Sequence, residues 1–185
     1  MSEPYSLYVN ISIKKERLEQ FFKEKPAKTA VDSDWIAWWN SRNMYGSEPL
    51  TDIRAYTDES NRSIADAYLG VRNMMCMEDL SQPGVWEYNS LFFSENYSEI
   101  LPALSWLSSI APYMDPSAEG VALIYNFFWD AEDNKAVMAH LVFKEQKASI
   151  QLTSRSTEMD PALVAKANAA LRGVWDKLTA DYKGD

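Results

Sequence analysis

The chain has 185 residues, with 18 Lys and Arg against 27 Asp and Glu for a formal charge of −9, and it is 46% hydrophobic and 24% charged. That balance fits a single globular domain spanning 1–185 and excludes a wholly disordered chain. The acidic sign argues against nucleic acid or an anionic membrane as partner, and one Cys with one His leaves neither an internal disulfide nor a zinc site.

The opening MSEPYSLYVN has no basic n-region and no apolar stretch of signal-peptide length, and no later run approaches a membrane span, so a cytoplasmic protein is expected. Tyr5 to Ile13 alternates, with Leu7, Val9, Ile11 and Ile13 on one side, and predicts a strand. Lys14 to about Lys25 places Leu18, Phe21 and Phe22 among charged residues, an amphipathic helix ended by Pro26. Behind possible caps at Asp32 and Ser33, Trp35, Trp38 and Trp39 fall at i, i+3 and i+4, which gathers three indoles on one side of a short helix. Gly46 to Pro49 marks a loop, Leu50 to Thr57 reads as a strand of imperfect alternation, and Asp58 to Arg62 is a polar break.

Ile64, Ala67, Tyr68, Val71, Met74 and Met75 follow helical spacing, which predicts a helix from Ser63 to about Met77 and puts Cys76 in it as a buried, reduced thiol. Val85 to Phe93 reads as an aromatic strand, and a helix begins within Ser94 to Ser98 with its stripe at Ile100, Leu104, Leu107 and Ala111. Pro102 is tolerable there only near the first turn. Val121 to Trp129, Ala136 to Phe143 and Ser149 to Thr153 form a predicted three-stranded meander. Asp160 and Pro161 then open a long helix whose buried stripe runs Val164, Ala167, Leu171, Val174, Trp175, Leu178 and Tyr182. The sum is an α+β fold: an antiparallel or mixed sheet with a carboxy-terminal meander, covered by several amphipathic helices.

Chemical motifs are sparse. The six glycines fit neither a dinucleotide fingerprint nor a P-loop, and Asp130 to Lys135 starts like a calcium loop but has Lys135 at position six and Leu141 at position twelve. His140, in a predicted strand, is a lone histidine with no nucleophile elbow nearby, which favours a hydrogen-bonded structural role over a general base. The chain is therefore expected to be no enzyme and to need neither cofactor nor metal. A small hydrolase using His140 or a carboxylate pair, and a carbohydrate- or peptide-binding module using exposed Trp, stand as alternatives.

Charge is unevenly spread. Lys14 to Lys28 holds six bases and three acids, whereas between Arg72 and Lys135 there is no Lys or Arg but ten acids: Glu78, Asp79, Glu87, Glu95, Glu99, Asp115, Glu119, Asp130, Glu132 and Asp133. Aromatic residues are interleaved with them. Such a surface would steer a basic protein to it, with aromatic side chains as desolvated anchors.

In this make-up the chain resembles the immunity proteins of bacterial polymorphic-toxin and contact-dependent inhibition systems. The resemblance is carried by the YSLYVNISIKKERLEQFF opening, the acidic aromatic middle, and EGVALIYNFFWDAEDNKAVMAHLVF ahead of the last helix. It implies a stoichiometric inhibitor that binds a cognate, basic toxin domain. The residues expected on the binding face are Glu78, Asp79, Glu95, Glu99, Asp130, Glu132 and Asp133, with Trp86 as anchor.

Overall fold

A computed structural model describes residues 3–42, 48–57 and 59–180. Six strands form one antiparallel sheet in the order β2-β3-β1-β4-β5-β6. They are β1 Tyr5–Ser12, β2 Cys76–Asp79, β3 Val85–Ser94, β4 Gly120–Tyr125, β5 Val137–Lys144 and β6 Lys147–Ile150. β1 lies between β3 and β4, and Leu7, Tyr8, Val9 and Ile11 are all buried because the sheet is covered on both faces there. Gly120 is required at the start of β4: a Cβ would meet Ile11 at 3.0 Å and the Asn10 carbonyl at 3.2 Å. The meander is present as β4-β5-β6. Its second turn puts Glu145 and Gln146 both at positive φ, as a two-residue hairpin demands, and the Gln146 amide donates to the Met114 carbonyl at 2.8 Å.

Four helices cover one face. They are α1 Lys15–Lys23, α2 Ser33–Ser41, α3 Asn61–Leu69 and α4 Tyr97–Ser108. Phe21, Trp38, Ile64 and Leu104 from them pack with Val9, Trp86, Tyr88 and Leu141 of the sheet in one core. The other face has a single helix, α5 Pro161–Thr179, whose Ala167, Leu171 and Val174 rest on Tyr8, Leu91, Leu123 and Tyr125. Side chains start four of the five: Asp32, Ser60, Asn96 and Asp160 each accept a backbone N–H of the first turn.

Several boundaries differ from the sequence expectation. The helix predicted from Ser63 to Met77 begins at Asn61 and stops at Leu69, with Gly70 as its cap. A 3₁₀ turn and left-handed Met75 follow, and Cys76 to Asp79 pair with β3 as the edge strand β2. The Met-rich run satisfies both a 3.6 and a 2 period, so the apolar pattern alone could not separate helix from strand. Cys76 is thus half-buried on a strand, its thiol pushed up by burial. The described part of Leu50 to Thr57 forms no strand; it is a strap held by buried Leu50 and Ile53. Pro102 sits in the second turn of α4, one turn later than expected. β4 ends at Tyr125 rather than Trp129. Of the expected stripe on α5, Trp175 and Leu178 are 40% and 37% exposed. Tyr182, Asp58, Gly46 and Ser47 lie outside the described residues.

Candidate partner-binding surface

The ten acids between Arg72 and Lys135 do not act as one uncompensated charge. Lys14 reaches Asp115 at 3.0 Å, Lys144 reaches Glu119 at 3.8 Å, Arg155 stands 4.0 Å from Asp130, and Arg172 pairs with Glu132. Arg62 donates to both oxygens of Glu78 at 3.0 Å. Half of the run is therefore matched by bases from other parts of the chain.

Two of the expected binding residues serve the core instead. β3 turns Trp86 toward the face covered by four helices, where it is fully buried against Phe21, Phe22, Tyr88 and Trp106. Its indole N–H donates to Glu78 at 2.8 Å. Trp86 thus has no surface to offer a partner, and Glu78 is held between an indole and a guanidinium at the sheet margin. Asp79 follows at the end of β2, where the Ser81 hydroxyl and the Ser81 N–H, the latter at 2.8 Å, hold its carboxyl below the usual range. Glu95 accepts the Glu3 backbone N–H at 3.2 Å, and Glu99 accepts the Ser94 hydroxyl, both near the far end of β3.

Asp130, Glu132 and Asp133 stay together, in the turn that follows β4. That turn is pinned from within. Asn126 accepts the Trp129 N–H at 3.1 Å, and Asp130 accepts the Ala136 N–H at 2.6 Å. The buried Lys135 ammonium donates to the Phe127 carbonyl at 2.7 Å and lies 5.4 Å from the Phe127 ring, and desolvation lowers its pKa. Fixing these groups turns Phe128 toward Trp175 of α5 and leaves Trp129 exposed beside Phe128.

The result is an aromatic ledge. Phe128 stacks on Phe92 with centroids 5.0 Å apart, meets Phe127 at 4.8 Å, and lies 5.7 Å from Trp175 and 6.3 Å from Trp129. Trp129 is 51% exposed and Trp175 40%. Three adjoining clefts run beside α5. One of about 530 Å³ is lined by Asp133, Glu132, Val164 and Arg172; the next, about 440 Å³, shares Glu132 and Arg172 and adds Asp130, Phe128, Trp175 and Asp176. The third, about 750 Å³, shares Trp175 and adds Phe92, Val71 and Leu178. Across the three, four carboxylates face Lys135, Arg172 and Arg72, so the ledge itself is close to charge balance.

Neither exposed indole was expected at a surface. On α5 the core takes Ala167, Leu171 and Val174 at i, i+4 and i+7. The apolar residues at 175 and 178 extend the stripe beyond the roughly 100° that one flat sheet face can cover. An apolar stripe too wide for its partner face was the available signal. For Trp129, Asn126 three residues earlier was the turn signal.

His140 lies on β5 opposite Leu123, on the α5 side of the sheet. Its Nδ1 is 2.9 Å from the Thr153 hydroxyl, its enclosed Nε2 has no hydrogen-bond partner among the described residues, and burial lowers its pKa. Among the described residues no group of three or more His, Cys, Asp or Glu is placed to hold a metal ion. No described helix is long and apolar enough to cross a membrane. Compared with protein-family models, with curated proteins and with solved structures, the chain matches none.

Proposed function

We propose that this protein acts by binding another protein, as a non-catalytic inhibitor of the immunity-protein kind that neutralises a basic toxin domain. The observation that carries the reading is the pair of exposed indoles, Trp129 and Trp175, joined through Phe128 beside a string of clefts. Aromatic side chains held rigid from behind and exposed at the front are the usual anchors of protein interfaces, because they bury large areas at little cost in rotamer entropy. The net charge of −9 supports a cationic partner through long-range steering. Near charge balance on the ledge itself means that affinity there comes from aromatic burial, while charge sets the association rate.

The arrangement around His140 supports a structural role better than a catalytic one, since a general base needs a nitrogen open to the group whose proton it takes, and the His140 Nε2 is enclosed. The test is titration of the basic domain encoded beside this protein. Trp175→Ala or Trp129→Ala is expected to weaken binding about tenfold to a hundredfold, the range of a hot-spot residue. Reversing Asp130, Glu132 and Asp133 is expected to slow association and flatten its salt dependence, with a smaller change in dissociation. Unchanged affinity in both Trp variants sinks the ledge as the binding surface. Quenching of Trp fluorescence by a glycan panel, with no response to the basic domain, favours the carbohydrate-binding reading instead.

A further inference from the structure

On the opposite side of the 126–135 turn, a fourth cleft of about 340 Å³ opens where the start of β1, the end of α2, the first residue of α4 and the chain after β6 meet. Its character is unlike that of the ledge, because its side chains are donors: Arg42, Arg155 and the hydroxyls of Tyr5 and Tyr97. Burial raises the Tyr5 and Tyr97 phenols, and the Asp130 carboxylate raises Tyr5 further, while Arg42 favours the phenolate of both and Arg155 that of Tyr5.

Arg42 is an unusual arginine for so acidic a chain. Its guanidinium lies 5.9 Å from the centre of the Trp38 ring and donates to the Thr153 carbonyl at 2.6 Å, while its buried Nε has no hydrogen-bond partner among the described residues. Among the described residues it closes no ion pair, and desolvation outweighs the attraction of Glu158. Arg155 is half-exposed and only 4.0 Å from Asp130. The neighbouring carboxylates are committed to the backbone. Asp130 accepts the Ala136 N–H, and Glu158 accepts the N–H and hydroxyl of Ser154. Glu95, which also faces Tyr5, accepts the Glu3 N–H. Asp130 and Glu158 so fix the walls of the cleft, and Asp130 also stands 4.0 Å from Arg155, but among the described residues neither forms a bidentate pair with Arg42 or Arg155.

We propose that this cleft binds a phosphoryl group, as free phosphate or as a phosphomonoester, between Arg42 and Arg155 with the Tyr5 and Tyr97 hydroxyls as further donors. Four separate donor groups suit a tetrahedral anion with three or more free oxygens better than a two-oxygen carboxylate. Charge-assisted hydrogen bonds from a partly desolvated guanidinium supply the affinity that a surface lysine would not. This site does not depend on the partner-binding reading.

The experiment is titration of the full chain, at constant ionic strength, with inorganic phosphate, phenyl phosphate and benzoate, followed by Trp fluorescence and calorimetry. Saturable phosphate or phenyl phosphate binding is expected at about 1 mM or tighter, with benzoate about tenfold weaker. Arg155→Gln and Arg42→Gln are each expected to weaken the phosphoryl ligand about tenfold or more. Arg155 is half-exposed, so its variant keeps the test valid should Arg42→Gln fail to fold. Tighter binding of phenyl phosphate assigns the site to a phosphomonoester, and equal binding assigns it to free phosphate. Absence of saturable binding by both phosphoryl ligands overturns the proposal, as does binding that Arg155→Gln leaves unchanged or that benzoate matches.

Discussion

The two faces of the sheet treat the same side chain in opposite ways. On the face under α1 to α4, Trp35, Trp38, Trp86 and Trp106 are at most 3% exposed: Trp35 packs on Trp38, and Trp86 packs on Phe21, Phe22, Tyr88 and Trp106. On the face under α5, one helix covers only the middle of the sheet, and Trp129 and Trp175 stand at its margin about half exposed. Indole content therefore says little about binding by itself. What decides is how much helix the topology supplies to each face, and here four helices on one side leave a single helix for the other.

The largest effect is expected on the heavily covered face. Trp86→Ala should lose about 3–5 kcal/mol, since it removes a fully buried indole and one of the donors to Glu78, and denaturant unfolding will read it. Glu78→Ala tests the same region from its margin. It leaves the Trp86 N–H without its acceptor and the partly buried Arg62 guanidinium with Asp66 alone, and should cost about 2 kcal/mol, discounted for the exposure of Arg62. A cost near zero for either would mean that this face is no better packed than the other. On the α5 side, Asp160→Ala removes the cap that accepts the Ala162 N–H and should lower stability by about 1 kcal/mol in the same assay.

The smallest effect is a pH dependence. Burial depresses the folded-state pKa of His140 below its ordinary 6.5, so the unfolded chain binds the proton more readily. The stability that this difference contributes is complete above pH 6.5 and falls as the pH drops below it. Between about pH 7 and pH 5, the unfolding midpoint of the native chain should therefore decline, and His140→Gln should flatten that decline. A decline as steep in the variant assigns the effect to other groups.

Much of the fold was legible because its signals are local. Alternation in β1, β3 and β5, the Asp160-Pro161 start of α5 and the hairpin spacing of the meander all depend on neighbouring residues. β2 was not legible, because Met74 to Met77 satisfies two periods and only pairing with β3 chooses between them. The proposed binding face had one local signal. The turn acids 130, 132 and 133 do share one loop, but whether distant bases neutralise an acidic run is a tertiary fact, as Arg62 with Glu78 and Arg172 with Glu132 show. Trp86 and Trp175 could not be ranked by sequence, since both sit on apolar stripes and only the unequal covering of the two faces separates them.

The central claim is that the ledge of Trp129 and Trp175 is the working surface. It is tested most directly by co-expressing the basic toxin domain that the proposal requires with the native chain and with the Trp129→Ala, Trp175→Ala double variant, after unfolding has shown the variant to be folded. The expected result is that the native chain restores growth and the folded double variant does not. Equal protection by the double variant would contradict the account.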